Sequence, residues 1–475
     1  MGSGKSLKEI EISESKKAHY LRHCEERFDR IQEGRESMNF SELENLVYET
    51  IQQNGRMLLE ATLASHSLAQ VNEEGYPCSN CGRKLRIQES AQQRVLKTRF
   101  GEITYRRPYG VCDGCGGTAV PMDQAIGIPQ SGPSVGTRER VCHAAVVGRS
   151  FEDGREILNV HSGIVFSGKH VRTLAEQDGA CVAAELEKDV KDFQAGSLEF
   201  PAAEKVELIV VTCDGGRIQT RQLEGDSRWK EDKIGAVYDA IAQPNAAVCE
   251  ENYEGAKALS KTYVATMKPW ESFGWMLRVE AEKRGYLKAR EKLFVADGAR
   301  SIGEMRRLQF PDAIFILDWA HAAGHLAQCA QAIFGPDPKA YAPWYELHKG
   351  LLWEGQIEKI LGELQSQSEK LGHPNEGECE SSPRVIVSQN AYSYFPNNQK
   401  AMDYPTFRSH GWPIGSGVAE GAVKQFALRM KGSEKFWNIS DTGTEEMLAL
   451  CSLYHSQDDR WQQYWKKRAE PCIRR

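Results

Sequence analysis

The chain has 475 residues, of which 40% are hydrophobic and 27% charged, with a formal net charge of -6. No apolar run approaches the roughly 20 residues a membrane span needs and no basic-then-apolar leader opens the sequence, so a cytoplasmic protein is expected rather than an embedded or secreted one. The length predicts about three domains, and the acidic balance argues against a uniformly basic nucleic-acid binder, so any DNA affinity must sit in local patches.

Residues 1–75 predict a helical N-terminal region. Gly4-Lys5-Ser6 has the ending of a phosphate-binding loop but lacks the strand and earlier glycine such a loop needs. Beyond it, Leu43, Leu46, Val47, Ile51 and Leu58 recur at helical spacing, as in an arm used for oligomerisation or for holding DNA ends.

Residues 76–122 predict a metal-binding module. Cys78-x-x-Cys81 and Cys112-x-x-Cys115 are separated by thirty residues, and each is followed by a glycine, Gly82 and Gly116. Four thiolates complete a tetrahedral shell around Zn²⁺, and the glycines permit tight turns. Arg94 to Tyr109 reads as a hairpin turning at Gly101, the layout of a zinc ribbon. Such a module can be a structural clip. Here Arg83, Lys84, Arg86, Arg94, Lys97, Arg99, Arg106 and Arg107 face only Glu89 and Glu102 and are interleaved with Phe100, Tyr105 and Tyr109, a pattern suited to a phosphate backbone. The count of thirteen cysteines is odd and favours reduced thiols over a disulfide framework. Cys142, Cys181, Cys329 and Cys451 are expected to be small buried hydrophobes.

Residues 123–200 predict helices. Between Phe151 and Gly179, a turn at His161-Ser162-Gly163 and a second helix bearing Lys169, His170 and Arg172 fit either a helix-turn-helix or ordinary helix packing.

From 201 to 318 the texture is α/β: strands Val206 to Cys213, Ile234 to Ile241 and Tyr263 to Met267, helix Trp270 to Arg284, strand Lys292 to Ala296, helix Ile302 to Leu308 and strand Ala313 to Leu317. Residues 319–412 predict an all-helical block with a polar loop near Gly372 to Ser382. Residues 413–456 resume with a helix after Ser416, and 457–475 form a tail.

Asp214 and Asp297 each follow a predicted strand, where α/β sheets place ligands, and Glu420 lies in the first turn of the helix after Ser416. Two Asp and a Glu so placed can converge on two hard cations, Mg²⁺ or Mn²⁺, and two such ions perform phosphodiester transfer without a protein nucleophile. The plainer alternative is that an Asp after a strand caps a helix, as Asp318 does for the helix beginning at Trp319. Lys424, one turn from Glu420, suits either pairing with it or a phosphate contact, and Arg429 and Lys431 continue that helix. Arg217 and Arg221 are further candidates for backbone contacts, or are solvated strand charges.

The ordered runs Val-Thr-Cys-Asp214-Gly-Gly-Arg-Ile-Gln-Thr-Arg221, Trp229-Lys-Glu-Asp-Lys-Ile-Gly235, Val295-Ala-Asp297-Gly-Ala, Ile316-Leu-Asp318-Trp-Ala-His321-Ala-Ala-Gly-His325-Leu and Pro413-Ile-Gly-Ser-Gly-Val-Ala-Glu420 resemble the ISKra-type bacterial insertion-sequence transposases. The cysteine module is similar to theirs as well, so the resemblance spans roughly Tyr76 to Trp437. It implies a ribonuclease H-like fold, related to Mutator-like transposases, with a helical insertion between the second Asp and the Glu. It implies a DNA transposase that cuts and joins strands through Asp214, Asp297 and Glu420, with double-stranded DNA and a second copy of itself as partners. Asp318-x-x-His321 matches an Asp-or-Cys-x-x-His motif of the wider group, whose implied role is strand handling or ordering of the surrounding shell. The alternatives are a catalytically silent DNA-binding descendant and a metal nuclease that hydrolyses without joining.

Overall fold

The computed structural model describes residues 7–71, 75–200, 206–224, 227–244, 253–432, 435–438 and 443–471, so Gly4-Lys5-Ser6 lies outside the described residues. The chain forms two compact units, one of residues 1–174 with 461–475 and one of residues 175–460. No described helix is long and apolar enough to cross a membrane.

In the first unit, helices α1 (Leu7–Gly34) and α2 (Phe40–Ala64) precede a three-stranded antiparallel sheet of β1 (Arg86–Thr98), β2 (Gly101–Val111) and β3 (Thr118–Ala119). A capping box opens α2: Asn39 accepts from the Glu42 N–H at 3.0 Å and the Glu42 carboxylate accepts from the Asn39 N–H at 2.9 Å. The predicted apolar stripe is not the packed face, since Val47, Ile51 and Leu58 are exposed. Leu59 and Leu63 pack instead on Leu96, Ile103, Tyr105 and Met122, because the sheet meets α2 only from Gly55 onward, where the Phe100 ring lies against the helix. Helices α3 (Pro121–Ala125), α4 (Val135–Val147), α5 (Phe151–Ser162) and the start of α6 (Gly168–Gln194) follow. Gly163, at φ 60°, ends α5 and turns the chain toward α6, a geometry that ordinary helix packing and a helix-turn-helix share.

The second unit holds β4 (Leu208–Glu224), β5 (Ser227–Ile241), β6 (Lys257–Thr266), α7 (Trp270–Lys283), β7 (Glu291–Ala296), α8 (Arg300–Gln309) and β8 (Ile314–Leu317). They build a five-stranded sheet in the order β6-β5-β4-β7-β8. β5 runs antiparallel to β4 and β6, whereas β4, β7 and β8 are parallel. A helical block follows: α9 (Trp319–Phe334), α10 (Pro338–Trp353), α11 (Ile357–Leu371), α12 (Pro383–Gln389), a π-turn (Asn390–Tyr394), α13 (Phe395–Asn398) and α14 (Tyr404–His410). The chain then returns to the sheet through α15 (Gly417–Met430) and α16 (Gly443–His455). The last helix, α17 (Arg460–Arg468), falls almost wholly in the first unit, within the segment expected as a tail.

Side chains alternate across a strand. Ile209, Val211, Cys213, Phe294 and Ala296 therefore face α7 and α8, where Phe273, Leu277, Met305 and Phe310 cover them. Leu208, Val210, Leu293 and Val295 face the helical block, against Trp319, Leu326, Trp353, Phe395 and Tyr404. By the same parity Asp214 and Asp297 project to the helical-block side. Cys142, Cys329 and Cys451 are buried as expected, but Cys181 is exposed, because it sits on the outer face of α6.

Candidate metal centres

In the cysteine module the two Cys-x-x-Cys turns have one conformation. The Gly82 N–H donates to the Cys78 carbonyl at 2.9 Å and the Gly116 N–H to the Cys112 carbonyl at 2.8 Å, with φ of 73° and 70° at the two glycines. A left-handed residue is required at each, which only glycine adopts without strain. The turns face each other, with Cys78 Sγ 3.7 Å from Cys115 Sγ and Cys81 Sγ 3.4 Å from Cys112 Sγ, and all four sulfurs lie within 4.8 Å of one another. Ligands at 2.3 Å around a tetrahedral zinc stand about 3.8 Å apart, near the two printed spacings, so the four cysteines could hold such an ion.

The hairpin beside them departs from the expected basic strip. Arg94, half-buried, and Arg107, buried, pair with Asp123 at 2.7 and 2.8 Å, and Tyr105 donates to the same carboxylate at 2.8 Å. Two guanidiniums and a phenol satisfying one buried acid stabilise the hairpin and are withdrawn from any surface. Lys97 and Arg99 remain accessible, although Lys97 lies 4.6 Å over the Phe166 ring and Arg99 pairs with Glu139 at 2.6 Å. Arg106, Lys169 and Arg172 are exposed.

The second centre lies at the ends of the parallel strands. Asp214 was expected to follow its strand; it lies inside β4, which continues to Glu224 because Gly215 to Gln219 stay paired with Lys233 to Trp229. That outer half is polar and carries no apolar alternation to betray it. The parallel pairing of β4 with β7, however, stops at Thr212↔Val295. Asp214 and Asp297 each stand two residues past that last pair, hence side by side where the strands part. The pairing of β7 with β8 ends at Ala296↔Leu317, which sets Asp318 next to Asp297.

Asp318 is 1% exposed and its oxygens are engaged. Oδ1 accepts from the His321 N–H at 2.7 Å, capping α9, and contacts His321 Nδ1 at 3.0 Å, while Oδ2 accepts from the Ser416 N–H at 2.5 Å. One carboxylate thus ties the start of α9 to the start of α15, the helix that carries Glu420. Burial opposes its charge, but the bonds from His321 and Ser416 win and hold it down to about 2. His321, bonded to Asp318, is pushed up to about 9. His325, one turn along, is shifted down, mainly by burial.

Asp214, His321, Gly324, His325, Gln328, Glu420 and Lys424 line a cleft of about 480 Å³. Asp214 is held above the usual carboxylate range, by burial first and then by the charges of Asp297 and Glu420, despite the Gly215 N–H that donates to it. Crowded carboxylates of this kind are relieved by a cation. One donor atom each from Asp318, His321 and Glu420 lie within 4.8 Å of one another. Lys424 stands 3.7 Å from Glu420, a loose pair on an exposed surface. Arg217 and Arg221 are exposed on β4, and Lys431 is half-buried. Arg429 joins Arg94 and Arg107 as a candidate DNA contact withdrawn from the surface: it is 3% exposed, 5.2 Å over the Trp437 ring, because its face of α15 packs into the unit. His325, Asn390 and Tyr394 had no role in the sequence reading; the one available signal was the four-residue spacing of His321 and His325.

The sequence matches an uncharacterised protein family, UPF0236, over residues 33–469, and the chain belongs to that family. No curated protein matches it.

Proposed function

We propose that this member of UPF0236 is a DNA transposase with a ribonuclease H-like catalytic core, one that binds the ends of its element and cuts and joins DNA strands. The observation that supports this reading is that Asp214 and Glu420 line one cleft and that Asp297 stands beside Asp214 where β4 and β7 part. The sheet order, with three antiparallel strands followed by two parallel ones, and the helical block between Asp297 and Glu420 are in keeping with that core.

Bound at these carboxylates, Mg²⁺ or Mn²⁺ supplies activation of water or a 3′-hydroxyl and stabilisation of the leaving oxygen. The chain's own part is placement. Asp214 and Asp297 are set side by side by strand register, and Asp318 fixes the helix that brings Glu420 into the cleft with Asp214. The Asp318–His321 pair orders the shell around those carboxylates. The four cysteines take Zn²⁺ as a structural clip in a ribbon. Lys97, Arg99, Arg106, Lys169, Arg172, Arg217, Arg221, Lys424 and Lys431 are the basic residues left for phosphate contacts, within a cytoplasmic protein that works as more than one copy because two DNA ends must be joined.

The test is Mg²⁺-dependent cleavage and joining of labelled DNA carrying the element's own ends, with the intact chain and with Asp214→Asn. Cleaved and joined products that disappear in the variant support a transposase. Cleavage without joining indicates a hydrolytic nuclease, and tight DNA binding without any product a silent descendant.

A further inference from the structure

The apolar stripe that the sequence places on α2 is left on the outside of the first unit. Phe40, Val47, Ile51 and Leu58 are between 37% and 77% exposed, and they follow one another at spacings of seven, four and seven residues. At 3.6 residues per turn these four lie within about 40° of one another around the helix, in a single line. Tyr48, also exposed, borders them. The residues that pack α2 on the sheet, Leu59 and Leu63, belong to another side of the helix. Alternating spacings of this kind are those of the a and d positions of a coiled coil, which are buried by a second helix.

The line matches its own reverse. A two-fold axis crossing α2 level with Glu49 sets Phe40 opposite Leu58 and Val47 opposite Ile51, so every apolar residue meets an apolar one and Tyr48 meets its own copy. Glu44, the one acid beside the line, meets Asn54, whose amide can donate to a carboxylate. A parallel pairing would instead set Glu44 on Glu44 and gather Glu42, Glu44 and Glu49 of both copies at one end, since α2 has no Lys or Arg before Arg56. Like charges brought together in this way oppose association. An apolar line is also the wrong chemistry for DNA, which presents phosphates to a protein. The five side chains expose on the order of 500 Å² in each copy, so pairing would bury about 1000 Å² in all, the lower bound for a specific interface.

We propose that this face of α2 is where a second copy of the chain docks: two α2 helices pair antiparallel along Phe40, Val47, Ile51 and Leu58, about a two-fold axis at Glu49. Such an interface uses one surface on both copies and closes on itself, as a two-fold dimer requires. It gives the multi-copy part of the proposed function its surface. The pairing needs no DNA, so it is tested apart from that function.

The experiment is sedimentation velocity of the full chain without DNA, followed by photo-cross-linking. A species of twice the chain mass is expected. Ile51→Glu, at an exposed position that leaves the fold intact, should raise its dissociation constant at least about 30-fold, the effect of losing a hot spot. Asn45→Lys, on α2 but away from the line, should leave it unchanged. With p-benzoylphenylalanine in place of Phe40, irradiation should link that position to the peptide around Leu58. Within one helix the two are about 27 Å apart, so such a link can only join two copies. A monomeric chain, a dimer unaffected in folded Ile51→Glu, or links from position 40 to the region of Phe40 in the other copy overturns the proposal. A dimer of this kind that cuts no DNA keeps the interface and removes the transposase reading; DNA joining by a chain whose assembly Ile51→Glu leaves untouched does the reverse.

Discussion

The four thiols come from two turns separated by thirty residues and joined by one hairpin, whereas the cleft and the strand-end acids gather their groups from positions 214, 297, 318, 321 and 420. The thiol site makes its own geometry: each turn closes on itself through a glycine N–H, and a bound ion would hold the pair together. The cleft owns little of its geometry. Strand register places two acids, a buried aspartate ties two helix starts, and a π-turn from the far end of the helical block steadies a histidine. Local assembly makes the first site dependent on its ion, and non-local assembly makes the second dependent on packing. The two should fail in different ways.

The largest expected effect is Cys112→Ser. A bound structural zinc contributes apparent free energy on the order of 10–16 kcal/mol to folding of small domains. Zinc content measured by atomic absorption should fall to near zero, and amide exchange should show loss of protection in β1 and β2. The sheet carrying Asp214 should keep its protection; its loss as well would break the comparison. Asp318→Ala should cost the other region about 2–4 kcal/mol, from the lost α9 cap and from a buried Ser416 N–H left unpaired, read by urea unfolding. Gly298→Ala comes next. Its Cβ would stand 2.7 Å from the Tyr394 ring and 2.9 Å from Asn398 Nδ2, an overpacking cost of about 1–3 kcal/mol that should also disturb the neighbouring Asp297.

That difference in assembly also explains what could be read in advance. The cysteine pattern is legible because its spacing and glycines are the whole design. The α/β alternation is legible because β4, β7 and β8 have apolar inner runs, and Asp214, Asp297 and Glu420 stand out by position. The long polar half of β4 is not legible, since its partner strand, not its composition, keeps it extended. Withdrawal of Arg94, Arg107 and Arg429 from the surface was hidden for a related reason: a guanidinium reads as surface until its partner, Asp123 for the first two and the Trp437 ring for the third, is known. The Asn390 and Tyr394 contacts with His325 join residues about 65 positions apart, beyond the reach of any local pattern.

The smallest effect probes how α15 is held from below. Gln425 of α15 lies 2.9 Å from His455 Nδ1 of α16, and Phe426 packs on the same imidazole at 5.4 Å between centroids. Burial lowers His455 from 6.5 to about 4. A histidine lowered in the folded state is neutral there while the unfolded chain already takes up a proton. Stability is therefore undiminished above about 6.5 and falls as pH drops from there toward about 4, below which both states are protonated and the loss stops growing. Between pH 6.5 and 5 the second unit should lose on the order of 1 kcal/mol by this route. His455→Gln, which stays neutral and can keep a bond to Gln425, should flatten that segment of the pH profile in urea unfolding. An unchanged profile would mean that the packing beneath the Glu420 helix does not exclude a charge, and that the cleft rests more on Asp318 than on the core below it.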